Sequence, residues 1–233
     1  MTLTEIENKY GFKYPELYKK LEHDQMLNVG EYGQDWYDTV FPKLKENPTL
    51  LLHSWDFEVL SVEAAYEAIK DLTDPEDYRQ IKSEFQFIPF AQSGAGDHYC
   101  FFLNEQNGKD IPIVLVWHDC NEVNYLAKNL QDFIFRTLLT DMSDQDIYNG
   151  VSDEEFKNNL NDIMRTHTKY LTEAQADILQ NILSKEIIDY YIELPKGRKE
   201  KHRGLLIDTE LKEILNNTIP YDKMDETFAY ADE

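Results

Sequence analysis

Two His-x-Cys pairs and one glycine-bearing loop are the places where this sequence could do chemistry. His98-Tyr99-Cys100 and His118-Asp119-Cys120 each space an imidazole and a thiol by one residue. Residues i and i+2 share a face in a strand. If the two segments are neighbouring strands, His98, Cys100, His118 and Cys120 could supply a two-cysteine, two-histidine set for zinc. Their spacing is unlike a zinc finger, however, and Asp119-Cys120-Asn121 has the composition of a turn. The competing reading makes Cys100 a small buried hydrophobe with the histidines near loops. On that reading no metal and no other cofactor is expected.

The loop is Ser93-Gly94-Ala95-Gly96-Asp97, set between the apolar runs FQFIPF and HYCFFL. A dinucleotide fingerprint needs a third glycine and a following helix, and a Walker A loop needs Gly-Lys-Ser/Thr. Neither is present. The pattern fits a connection between two strands, with Gly94 and Gly96 permitting positive φ and Asp97 bonding nearby amides. Ser93 lacks the Gly-x-Ser-x-Gly elbow, and no zincin, EF-hand or kinase signature occurs. No catalytic residue is assigned, and the chain is expected not to be an enzyme.

The elements that must position these residues follow from periodicity and punctuation. Leu3, Ile6 and Tyr10 predict a short helix stopped by Gly11, and Pro15 opens a second with Leu17, Tyr18 and Leu21 on one face. Residues 28–47 read as an irregular aromatic loop, and TLLLHSWDFEVLS as strand. Ser61 caps a helix carrying Ala65, Ile69 and Leu72 inward, and Asp74-Pro75 predicts another running to Phe85. FQFIPF, HYCFFL, IPIVLVWH and EVNYLA are four short strands, with Asn107-Gly108 as a turn. Asn129 caps the helix that closes this part.

Beyond Met142 the pattern turns helical. Capping boxes are predicted at Ser152/Glu155 and Thr172/Gln175, TELKEILNN reads as a last helix, and DETFAYADE as a loose acidic tail. The basic run PKGRKEKHRG, with cations from Lys196 to Arg203, reads as a solvated loop between helical segments. The expected fold class is therefore α+β: a mainly antiparallel central sheet with flanking helices over residues 1–142, and a helical C-terminal extension over 143–233.

Composition narrows the partners. Acidic residues outnumber basic ones 45 to 23, for a net charge of −22. Such a surface repels nucleic acid and anionic membranes and attracts basic proteins. The opening MTLTEIENKYGF has no basic-then-apolar leader pattern, no apolar run is long enough to span a membrane, and two cysteines make no disulfide framework. A cytoplasmic protein is expected. Tyr32, Trp36 and Tyr37, interleaved with Glu31, Asp35 and Asp38, are the best candidate for a partner-binding patch, because aromatic anchors ringed by acid suit a basic protein surface; the competing reading, equally open, folds these aromatics down onto the sheet.

FIPFAQSGAGDHYCFFL, then PIVLVWHDCNEV, then NLQDFIFRTLL, preceded by the Pro15-Glu16-Leu17 helix start, resemble the SUKH (Smi1/Knr4) superfamily. The resemblance covers roughly residues 1–142. Two details depart from the common pattern: Phe102-Leu103-Asn104 stands where an acidic residue often follows, and Asn28-Val29-Gly30 only loosely matches a glycine-rich helix end. The resemblance implies a non-enzymatic α+β binding module, of the kind found in bacterial immunity proteins that neutralise a polymorphic or contact-dependent toxin, often a nuclease. A basic toxin domain would then be the partner. The alternative it implies is a regulatory scaffold, cell-wall-related in some members, docking endogenous partners. Neither reading fixes an oligomeric state.

Overall fold

The computed structural model describes residues 1–31, 33–145 and 150–232. In chain order its helices are α1 (Leu3–Tyr10), α2 (Glu16–His23), α3 (Trp36–Thr39), α4 (Phe41–Glu46), α5 (Val62–Leu72), α6 (Leu130–Ser143), α7 (Asp153–His167), α8 (Glu173–Leu183) and α9 (Asp208–Thr218). The strands are β1 (Glu58–Val59), β2 (Phe87–Gln92), β3 (His98–Phe102), β4 (Ile113–Val116), β5 (Val123–Ala127), β6 (Ile188–Leu194), β7 (Arg198–Gly204) and β8 (Thr227–Phe228). Residues 1–31, 56–133 and 221–233 make one compact unit, and residues 32–55 and 134–220 another. The α+β class and its antiparallel sheet stand as the sequence predicts.

The first unit is built on a six-stranded sheet in the order β1-β2-β3-β4-β5-β8, every neighbouring pair antiparallel. Strand alternation sorts its aromatic residues onto two faces. Phe90 and Phe101 point to one, where Tyr18 of α2 packs edge-on to both, at 6.1 and 5.3 Å between ring centroids, and Phe133 of α6 meets Phe90 at 5.8 Å. Phe87, Cys100, Phe102, Val114, Val116, Val123 and Tyr125 cluster on the other. That second face is covered by Leu72, Phe85 and the C-terminal aromatics Tyr221, Phe228 and Tyr230. A sheet buried on both sides explains why β2 reads as an unbroken apolar run rather than an alternating one.

Several local signals hold as predicted around this sheet. Gly11, at φ +72°, ends α1, whose start carries a capping box between Thr2 and Glu5 that was not among the predicted ones. Ser61 Oγ accepts from Ala64 N at 3.1 Å and starts α5. Asn129 Oδ1 accepts from Asp132 N at 2.9 Å at the start of α6. Each such cap is worth about 1 kcal/mol.

In the second unit, α7 buries Phe156, Leu160, Ile163 and Met164, and α8 buries Leu179, Ile182 and Leu183. The capping box on α8 is complete. Ser152 caps α7 through Glu155 N, while the Glu155 carboxylate pairs with Lys45. β6 and β7 form a separate hairpin, paired from Ile188–Gly204 to Leu194–Arg198.

Several predicted elements differ, each for a local reason. Asp74–Phe85 is not a helix. Asp74 Oδ1 accepts from Glu76 N and Asp77 Oδ1 from Arg79 N, and Gln80 takes φ +52°. Such side-chain bonds offer the backbone a turn instead of a helix. The strand expected over TLLLHSWDFEVLS shrinks to Glu58–Val59, because Leu51 and Asp56 both adopt positive φ. Residues 28–47 contain α3 and α4 rather than only loop, with Pro42 in the first turn of α4. The basic run is strand β7, and the acidic tail contributes β8.

Candidate functional site

The Ser93–Asp97 connection is closed on itself. Gly94 N donates to Asp56 Oδ1 at 2.7 Å, Ala95 N and Asp97 N to Ser93 Oγ at 3.3 and 3.0 Å, and Gly96 N to Ser93 O at 3.1 Å. A phosphate cradle works by offering free amides, and here these amides are already used. Gly96 sits at φ +101°, where only glycine is comfortable. Asp97 is buried at the centre of the junction: Ser93 Oγ donates to its Oδ2 at 2.9 Å, and His118 N donates to its Oδ1 at 2.9 Å. His118 Nδ1 lies 2.7 Å from the same oxygen. Burial pushes the Asp97 carboxyl up, but the hydrogen bonds from His118 and Ser93 outweigh it and hold the group below its ordinary value. The partner imidazole of His118 is raised in turn by Asp97.

The four candidate zinc ligands do not converge. Among the described residues, the group whose ligand atoms approach within 4.8 Å is Asp97, His118 and Asp119, which includes only His118 of the four. Cys100 lies in the core of β3, its thiol pushed well up by burial, and donates to His98 O at 3.6 Å. Cys120 is exposed. His98 faces Arg79, with Nδ1 3.5 Å from Nη1. Burial, then this guanidinium, lowers its pKa to about 4. A cation beside a ligand repels a metal ion, so the geometry disfavours zinc here.

The predicted partner patch is also rearranged. Trp36 is buried in α3, edge-to-face with Tyr37 at 5.0 Å and tilted on Phe41 at 5.5 Å. It supports the surface instead of presenting an anchor, which corrects the reading of Trp36 as part of an exposed patch. Tyr37 is 74% exposed, and Asp35 and Asp38 are exposed beside it. Glu31 is exposed in the other unit, and Tyr32 lies outside the described residues. What remains of the patch in one unit is therefore Tyr37 with Asp35 and Asp38.

A groove of about 420 Å³ in the first unit went unread in the sequence. Its walls are the starts of α2 (Tyr14, Pro15, Glu16) and α6 (Asn129, Leu130) and the turn carrying Lys109 to Ile111. Asn129 Nδ2 donates to Asp110 Oδ1 at 2.9 Å and braces that turn. The two helix-start signals, Pro15 and Asn129, were legible; that the fold brings them to one groove was not. Its lining mixes charged Lys13, Glu16, Lys109 and Asp110 with half-buried Pro15 and Leu17.

The antiparallel meander, the helix layer on one face and the Asp97-centred junction define an α+β fold of the sort the motifs implied. A model of the SMI1 / KNR4 family (SUKH-1) matches residues 2–136, and the chain belongs to that family. No curated protein and no solved structure matches it. Among the described residues, no helix is long and apolar enough to cross a membrane.

Proposed function

We propose that this chain is an immunity-type member of its family, a cytoplasmic protein that neutralises a cognate toxin by direct binding and without catalysis. The observation that carries the reading is the state of its charges. Net charge is −22, and many of the cations are already engaged by carboxylates: Lys13 and Lys19 on Glu7, Lys201 and Arg203 on Asp189, Lys223 on Glu105. The outward field is therefore negative, which steers a basic protein inward and repels nucleic acid and anionic membrane. A basic nuclease toxin is the partner this field suits. Exposed Tyr37 with Asp35 and Asp38 supplies an anchor of the kind such a surface uses.

The test is capture of the tagged full chain from its own cells, followed by expression of any bound polypeptide alone. A basic polypeptide that is toxic alone and harmless beside this chain supports the reading. Capture of endogenous, non-toxic partners would move the assignment to a regulatory scaffold. Full-length protein is needed, because residues 221–232 cover the sheet of the first unit.

A further inference from the structure

The segment Tyr221–Asp232 meets the family domain as an extended ligand would. Thr227 and Phe228 pair antiparallel with Asn124 and Val123 on the outer edge of β5. Tyr125 N donates to Glu226 O at 3.0 Å, and Asp225 N to Tyr125 O at 2.9 Å. Beyond the strand, the Asn121 side chain clasps Ala231 through both its backbone groups, at 3.1 and 2.7 Å, and Lys82 N donates to Tyr230 O at 3.0 Å. Phe228 and Tyr230, two residues apart, drop onto one sheet face. Phe228 stacks on Phe102 at 5.3 Å, and Tyr230 is 3% exposed. Main-chain bonds along an edge with alternate side chains in a pocket are the signature of strand addition.

The hold is imperfect at its start. The Tyr221 hydroxyl is buried without a hydrogen-bond partner, and Asp225 sits at φ +67°. Both features disfavour the bound form. A groove of about 250 Å³ opens between Tyr221–Lys223 and the residues Glu105, Asp110 and Lys128. The first half of the segment is held chiefly by the Lys223–Glu105 ion pair at 2.7 Å, while the second half carries the strand pairing and the buried Tyr230.

We propose that the outer edge of β5 and the aromatic face beside it are a strand-acceptor site, and that Tyr221–Asp232 is its resident, separable occupant. The site selects an extended segment with two aromatics at Phe-x-Tyr spacing followed by a small residue and an acid. Without an occupant, β5 would be an open edge beside an apolar face. This inference is independent of the toxin reading.

The experiment uses the full chain with a protease site inserted after the exposed Pro220 and cleaved once the protein has folded. The expected result is that fragment 221–233 stays bound through gel filtration and exchanges with a fluorescent synthetic copy. A copy carrying Phe228→Ala and Tyr230→Ala should bind at least about tenfold more weakly. The proposal is overturned if the fragment leaves on cleavage, if the synthetic copy never exchanges, or if the double-alanine copy binds as well as the native one.

Discussion

The Nε2 atom of His167 accepts the amide hydrogen of Leu51 at 3.0 Å in the interior of the second unit. That bond assigns the tautomer. The proton is on Nδ1, which lies 3.0 Å from Ile163 O and donates to it. Protonating Nε2 would break the bond that holds Leu51 in its left-handed conformation, φ +52°. Burial drives the His167 pKa from 6.5 down to about 4.

Acid sensitivity follows from that shift. A folded-state pKa below the unfolded one gives stability that is present above 6.5 and lost as pH falls toward 4. His53 and His98 are depressed to about 4 as well, both by burial first. Fully buried His167 alone would cost on the order of 3 kcal/mol across this window. Denaturant unfolding at pH 7, 6, 5 and 4 should show a falling midpoint. His167→Gln, whose amide can reproduce both bonds, should lose less over the same range. An identical pH slope in the variant would remove His167 from the account.

Asp141 pulls in the opposite direction. It is buried, and Ser54 Oγ donates to its Oδ2 at 2.5 Å. Burial raises its pKa from 3.8 to about 7, against the smaller lowering effects of Ser54 and Trp55 N. Its contribution is present below pH 4 and is lost as pH rises through 7. Asp141→Asn should therefore gain stability relative to wild type between pH 6 and pH 8, by roughly 1 kcal/mol. Thermal melts at the two pH values check it, and an equal offset at both would rule out titration of Asp141.

Gly204 has no room for a side chain. A Cβ there would lie 2.0 Å from Ser143 O and 2.4 Å from Ser143 C, both backbone atoms. Gly204 ends β7, and Leu205 N donates to Met142 O at 2.8 Å next to it. Gly204→Ala must push the hairpin base away from α6, at a cost of roughly 3 kcal/mol. A melting temperature within a degree of wild type would contradict this packing.

The sequence made the meander, its turn at Asn107-Gly108 and most helix starts legible, because caps, glycines and strand periodicity are local signals. The hairpin was hidden because PKGRKEKHRG is basic only in isolation. In the fold its cations meet acids across the ladder, Lys199 on Glu193 and Lys201 and Arg203 on Asp189, so the segment becomes strand through a partner of complementary charge. β8 was hidden for a similar reason. Nothing near Phe228 in the chain predicts a strand, and its pairing is with distant β5. The acidic residues of the predicted patch were legible as acids; which aromatic faces outward was decided by packing, with Trp36 taking the interior and Tyr37 the surface.

That division between Trp36 and Tyr37 gives the sharpest test of the proposed interface. Tyr37→Ala removes an exposed ring and should change stability by less than about 0.5 kcal/mol. Trp36→Ala empties a buried site against Phe41 and should cost about 3 kcal/mol or more. If the partner docks on α3, Tyr37→Ala should weaken capture of the basic polypeptide by about tenfold or more while the melting temperature holds. Reversing Asp35 and Asp38 to lysine should slow association and flatten its salt dependence, and reversal of Glu31, in the other unit, tests whether steering extends beyond α3. Unchanged affinity in Tyr37→Ala and in the double reversal together would move the interface off this helix and leave its acids as solubilising charge.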